Sequence, residues 1–259
     1  MGSILAWYIE MIYPALNFSV VRLKETDSTN RYLGGIPNKQ EIPEGLVVLS
    51  AFQFSGRGQR DSVWESEKGK NLTFSILLKP IFLEPVKHFF LSRVISLAVH
   101  DFIRTETTEQ VSIKWPNDIL AGNRKIAGIL IENSVRNNTI EYCIAGIGIN
   151  INQVSFSSNI PNPVSLAMLT GFRYRLDDCL ARVLNGVQKY YLQLQSGDYS
   201  GLNSTFEKHL FLKGVMAGYI LSGKKITAAI EGVTDEGILL MRKEEGEKIQ
   251  CHGKELVYP

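Results

Sequence analysis

Two runs in the middle of the chain carry the groups best suited to chemistry: Lys114-Trp-Pro-Asn-Asp118 and, just beyond it, Lys125-Ile-Ala-Gly128. They place two ammonium groups, a carboxamide and a carboxylate on strand-like runs joined by the polar turn Ala121-Gly122-Asn123-Arg124. Val111 to Ile113 leads in, and Ile126 to Glu132 leads out, with β-type alternation. Such a hairpin can gather cations and one carboxylate around a small anionic reaction centre. Without companions it would read as a solvated edge with surface charges.

The chain supplies companions. In Ser55-Gly-Arg-Gly-Gln-Arg60, Gly56 and Gly58 free the backbone to wrap an anion, and Arg57 and Arg60 bring fork-shaped donors. The spacing is neither that of a P-loop nor that of a dinucleotide fingerprint, so the motif alone leaves phosphate binding and a mobile surface loop both open. Thr139 to Asn152 reads as a strand, with Gly146, Gly148 and Asn150 on one face and Ile147, Ile149 and Ile151 on the other. Glycines inside a strand mark a bulge or a close approach to the backbone. Here they clear either a slot ending in an amide or a seat for a packed helix. Ser28, Thr29, Asn30 and Gln53 add neutral donors and acceptors.

These groups need elements to hold them. Asp27-Ser-Thr-Asn30 has the residue types of a helix cap. Leu46 to Phe52 and Asn71 to Lys79 read as strands. In the second, Leu72, Phe74, Ile76 and Leu78 face one way and Thr73, Ser75 and Lys79 the other. The loop between them, Gln53 to Lys70, is long for a connector inside a domain, which suggests a functional lid. Helices are expected from Pro85 to about Ile103 and from Leu176 to Gln195. From Leu212 onward short β-like segments recur between Ser222-Gly223, Thr234-Asp-Glu-Gly237 and Glu244-Glu-Gly246, which is turn chemistry. The expected organisation is a larger domain over 1–211 and a small β-barrel over 212–259.

Composition narrows the options. A chain of 259 residues holds one large domain or one with a small partner. A formal charge of +2 is too small to indicate a polyanion partner, so an anion site must be local. Three scattered cysteines, Cys143, Cys179 and Cys251, argue for reduced thiols in the cytoplasm. The four histidines show no metal-ligand spacing. Met1 to Phe18 contains Glu10 and Pro14, which makes it a poor signal peptide and too interrupted to span a bilayer. It reads as an extension or a first strand.

Taken in order, Asp27-Ser-Thr-Asn30, Gln53 to Trp64, the Lys114–Gly128 hairpin and Gly146-Ile-Gly-Ile-Asn150 resemble the biotin protein ligases. The resemblance runs from about Ser28 to the C-terminus. It implies an α+β fold, a mixed sheet with flanking helices like that of class II aminoacyl-tRNA synthetases, followed by an SH3-like barrel. It implies biotin as substrate, ATP with Mg2+ as co-substrate, and a biotin carboxyl carrier protein domain as acceptor. No DNA or membrane partner is implied, and a homodimer is compatible.

By this resemblance Lys125 neutralises the biotin carboxylate and the α-phosphate, and Arg57 would bridge biotin and the phosphates. Asp118 is open between a turn cap and a carboxylate that orients the acceptor lysine or helps remove its proton. Biotin would be held by Ser28, Thr29, Asn30, Gln53, Arg57, Gly58, Gln59, Lys125, Gly128, Gly146 and Gly148. The ureido ring is uncharged, so when buried its oxygen and N–H groups all need neutral partners. The nucleotide would be held by Arg60, Trp64, Lys114, Asn117, Lys125 and Asn150, with Lys114 and Asn117 open between contacting phosphate and supporting Asp118. Trp64 is open between stacking on adenine and anchoring the loop. Gln59 stands where the family often has Arg, and Asp61 where Gly is frequent, which puts retention of the reactive intermediate in question. A lipoate ligase or octanoyltransferase of the same fold is the nearest enzyme alternative. A biotin-sensing repressor is the alternative of another class, and fewer than 27 residues precede Asp27, too short for a winged helix.

Overall fold

The computed structural model describes residues 8–11, 16–36, 39, 41–59, 62–158 and 161–259. Arg60 and Asp61 therefore lie outside the described residues, as does much of the segment before Phe18. The framework is an eight-stranded mixed sheet in the order β1-β2-β3-β4-β8-β7-β6-β5. Its strands are β1 (Tyr8–Met11), β2 (Phe18–Leu23), β3 (Leu46–Ser50), β4 (Leu72–Leu78), β5 (Val111–Lys114), β6 (Asp118–Ala121), β7 (Arg124–Arg136) and β8 (Thr139–Ile149). Among the described strands of this sheet, only β2 and β3 pair in parallel. Their crossover carries helix α1 (Thr29–Gly35), as a parallel pair requires.

Alternation gives the sheet two unlike faces. Val20, Val47, Ile76, Ala145 and Ile147 belong to the main core, where α2 (Phe89–Arg104) packs on α4 (Leu176–Gln195) and on α5 (Tyr199–Lys208). The residues between them, Val21, Val48, Leu77 and Ile144, form a smaller apolar cluster with Leu33 of α1. The expected helical stripes are buried as read, Phe90, Val94 and Leu97 on α2 and Leu180, Val183 and Leu184 on α4. Pro85 opens a single 3-10 turn, Pro85–Lys87, and the helix proper begins at Phe89. Sequence alternation had given no signal for α5 or for the short α3 (Leu166–Thr170).

The C-terminal segment forms a five-stranded antiparallel sheet, β12-β11-β10-β9-β13, from β9 (Met216–Leu221), β10 (Lys224–Val233), β11 (Leu239–Lys243), β12 (Lys248–Cys251) and β13 (Leu256–Val257). This matches the small barrel expected from the turn spacing. Arg93 on α2 fastens it. The side chain is fully buried, donates to the carbonyls of Val233 (2.8 Å) and Thr234 (2.9 Å), and lies 3.4 Å from Asp235. The rings of Phe89, Phe90 and Phe206 surround its guanidinium. The same turn reaches the larger sheet through Gly237, whose carbonyl accepts from Trp115 Nε1 at 3.0 Å. Among the described residues no helix is long and apolar enough to cross a membrane, and all three cysteines are buried with free thiols.

Replacing Arg93 by Ala strands the buried Val233 carbonyl and the part-buried Thr234 carbonyl, and leaves the half-exposed Asp235 without its cation. With about 1–3 kcal/mol for each acceptor left without a donor, the cost is about 2–5 kcal/mol. Urea unfolding should show a loss of that size. A loss below about 1 kcal/mol would mean that water replaces the guanidinium at no net cost.

Candidate active site

The face of the sheet that carries the α1 cluster changes character along its strands. On β4, Leu77 gives way to Ser75 and Thr73. On β8, Ile144 gives way to Gly146 and Gly148. Their partners on β7 are Glu132, Leu130 and Gly128. All seven residues of β4 are buried, Thr73 and Ser75 included. A strand expected to show one apolar face and one polar face is thus covered on both. What covers the polar face is a cavity of about 800 Å³ and the N-terminus of α1.

Ser28 holds the N-cap position of α1, yet its hydroxyl makes no capping bond. The Ser28 amide donates to Asp27 Oδ1 at 2.6 Å. The Ser28 hydroxyl stands at the cavity wall. The Thr29 amide donates to Gln53 Oε1 at 2.7 Å. Asn30 turns inward, its Nδ2 2.7 Å from Glu132 Oε2 and its Oδ1 2.6 Å from Ser75 Oγ. It fills the space left by Gly146, where a Cβ would lie 2.2 Å from Asn30 Oδ1.

Gly128 and Gly148 are cross-strand partners, and together they seat Trp64. A Cβ on Gly148 would lie 2.3 to 2.7 Å from three indole atoms. The slot expected from the glycine pattern is real, and in this structure it is filled by Trp64 and Asn30. Trp64 arrives on a flap folded from the Gly-rich loop: Gly58 N bonds Ser62 O at 2.6 Å, Trp64 N bonds Gly56 O at 2.9 Å, and Arg57 bridges Val63. Arg57 Nη1 lies 3.4 Å from Glu132 Oε1.

At the other end stand the charges. The Lys114–Gly128 segment is a three-stranded meander, not one hairpin: the first run breaks at Trp115-Pro116-Asn117, between β5 and β6. Pro116 lacks an N–H and suits the corner. Lys114 and Asp118 therefore pair across that corner, and Lys125 Nζ lies 2.6 Å from Asp118 Oδ1. The contact is an ion pair without hydrogen-bond alignment, so Asp118 Oδ1 has no aligned donor. Burial pushes the Lys114 ammonium below its usual range, partly offset by Asp118, and its nearest ring is Tyr258, 4.7 Å away. Asn117 and Asn150 donate their amides to the carbonyls of Ile129 and Val164, leaving each Oδ1 buried without a donor.

Every site residue expected from sequence lines this cavity, apart from Arg60, which lies outside the described residues. Sequence reading missed Phe156, Asn162 and Pro163, which also line it. They come from the loop after β8, which Lys125 ties down through Asn162 O and Val164 N, each at 2.9 Å. Nothing periodic marks that loop, and only its prolines hint at order. Among the described residues no group of three or more His, Cys, Asp or Glu gathers as a metal site.

Residues 23–150, which span the cavity from α1 to Asn150, match the sequence profile of the biotin/lipoate A/B protein ligase family. Over that segment the chain is similar to this family. The relatives that the chain resembles include the bifunctional ligase/repressor BirA of Bacillus spizizenii, 31% identical over 80% of the chain. The chain spans 64% of that relative's length. The biotin–[acetyl-CoA-carboxylase] ligase of Paracoccus denitrificans is 26% identical and matches over 88% of this chain and 95% of its own. The biotin protein ligase of Aquifex aeolicus in complex with biotin and ATP superposes with a TM-score of 0.78 at 27% identity, covering 93% of this chain and 98% of that one.

The seat for Trp64 is testable without any ligand. In Gly148→Ala the new methyl must displace the indole. Acrylamide should then quench Trp64 fluorescence more strongly, read in a Trp7→Phe, Trp115→Phe background. Unchanged quenching would mean that the flap does not rest on the glycine pair.

Proposed function

We propose that the chain is an ATP-dependent biotin protein ligase. The observation that carries this reading is the polarity of the cavity, neutral hydroxyl and amide groups at one end and two ammonium groups at the other. Biotin has the matching polarity, with an uncharged ureido ring at its head and a carboxylate at its tail. Support comes also from the family, and from biotin and ATP in the Aquifex aeolicus complex.

In the first half-reaction the biotin carboxylate attacks the α-phosphorus of ATP. A phosphorus–oxygen bond forms, the bond to pyrophosphate breaks, and biotinyl-5′-AMP results. The two anions repel until a cation stands between them. Lys125 supplies that cation, and it counts most where charge crowds at the transition state. Lys114 and Arg57 add positive potential, Lys114 toward the nucleotide and Arg57 once it leaves Glu132. The buried, unpartnered oxygens of Asn117 and Asn150 would hold a magnesium ion brought by the nucleotide, which would neutralise charge on the phosphates.

In the second half-reaction a lysine of a biotin carboxyl carrier domain attacks the acyl carbon, AMP leaves, and the amine sheds its proton. Asp118, half-buried beside Lys125, orients the incoming ammonium and helps remove that proton. The flap carrying Arg57, Gly58, Gln59 and Trp64 shields the mixed anhydride. The same reading assigns residues 1–211 to catalysis and 212–259 to a supporting barrel. It places the protein in the cytoplasm, in keeping with its free thiols. The hydroxyls and amides of Ser28, Thr29 and Gln53 favour biotin over lipoate, whose dithiolane offers no N–H.

Lys125→Ala should lower biotin-dependent ATP–pyrophosphate exchange by at least ~10²-fold, the size seen when one electrostatic stabiliser is removed. Biotin binding without ATP should change far less. Near-normal exchange would remove Lys125 from the mechanism.

Asp118→Asn keeps the shape and removes the charge. Exchange should persist while transfer from preformed biotinyl-AMP to a carrier domain slows. The deficit should narrow at higher pH, where more of the acceptor lysine is neutral. Equal losses in both half-reactions would move Asp118 to the nucleotide.

A further inference from the structure

Beneath the neutral end of the cavity lies Ser75, a fully buried β4 hydroxyl that no motif singled out. Its oxygen is 2.6 Å from Asn30 Oδ1 and 2.7 Å from Thr29 Oγ1. One hydroxyl has one proton, so it can donate to only one of them. We infer that Ser75 is a positioning residue for head-group recognition, fixing the Thr29 hydroxyl so that Thr29 Oγ1 can only accept a hydrogen bond from the ligand. The inference rests on the biotin reading above and deepens it.

The direction follows from counting protons. Asn30 Nδ2 faces two acceptors, Glu132 Oε2 at 2.7 Å and the Leu130 carbonyl at 3.4 Å. Its amide orientation is therefore set, and Oδ1 faces Ser75. The Ser75 proton must go to that oxygen. Thr29 Oγ1, 2.7 Å from Ser75 Oγ, must then give its own proton to Ser75. Otherwise two lone pairs would face each other at hydrogen-bond distance in a buried site. Thr29 Oγ1 also lies 3.1 Å from Gln53 Oε1. The single proton cannot serve both, and Gln53 Oε1 already accepts from the Thr29 amide at 2.7 Å.

The result is a one-way chain, Thr29 to Ser75 to Asn30 to Glu132. At its open end Thr29 offers only lone pairs, which suit a ureido N–H. Gln53, its oxygen held by the Thr29 amide, keeps its Nε2 as a donor suited to a carbonyl. A head group without N–H would leave the Thr29 acceptor unpaired. Discrimination is strongest where a missing ligand hydrogen strands a buried protein group.

The test uses isothermal titration of biotin into the full chain and its Ser75→Ala, Thr29→Val and double variants, with the KM for ATP in exchange and the thermal midpoint measured alongside. Ser75→Ala should raise the Kd for biotin by about tenfold, the equivalent of one buried hydrogen bond, and leave the KM for ATP unchanged. The double variant should bind no worse than Thr29→Val alone, because both changes act through one hydrogen bond. Additive losses, or wild-type affinity in Ser75→Ala, would overturn the inference. Ser75→Cys, a weaker donor of similar size, should fall between wild type and Ser75→Ala. It carries the same test if the alanine variant does not fold, and wild-type affinity there would overturn the inference. A wild-type chain that binds no biotin would overturn the functional reading itself, and the inference with it.

Discussion

Three positions in the middle of the sheet have no side chain, and the site is built around that lack. Gly128, Gly146 and Gly148 leave a bare stretch of backbone on β7 and β8. Asn30 enters it from the helix and Trp64 from the flap, each so close that a methyl group would collide. Glycine inside a strand costs about 0.5–1 kcal/mol relative to alanine. The two inserted side chains offset that cost and bring their own segments with them. The head of α1 and the Gly-rich loop are far apart in sequence, and both are registered against the sheet by the same bare patch.

The charged end works on a different principle. Lys125 and Asp118 touch, but both are partly exposed, and such pairs contribute only about 0–1 kcal/mol to stability. Their value lies in placement. The corner at Trp115-Pro116-Asn117 sets Lys114 opposite Asp118, and the bond from Lys125 N to Asn162 O pins the third group. Lys114 is kept where its charge is less well solvated. On the ligase reading proposed above, an arriving phosphate would restore an interaction that water only partly supplies.

Much of this was legible in the chain. Alternation found β4, β8 and the C-terminal strands, helical spacing found α2 and α4, and the motifs named residues that meet in one cavity. The failures have physical causes. The Lys114–Asp118 run was read as one strand because its corner is only a few residues long and sits between two apolar stretches. Ser75 was read only as one of a polar row with Thr73 and Lys79, since alternation shows which residues share a face and not what covers that face. The loop with Phe156 and Asn162 has no period, and tertiary bonds alone hold it at the cavity. Residue type put Asn30 at the site, where it lines the cavity, but gave no sign of the bonds its amide makes with Ser75 and Glu132.

The turn at 233–237 has no side chain at the cavity, yet Arg93 grips it on one side and Trp115 leans on it from the other. Trp115 is the immediate neighbour of Lys114. A substitution in that turn would thus shift the corner that carries the cations. A screen that scored activity alone would mark the turn as part of the catalytic machinery. Only a parallel measure of folding would reveal it as a foundation, felt at the site through the indole it supports.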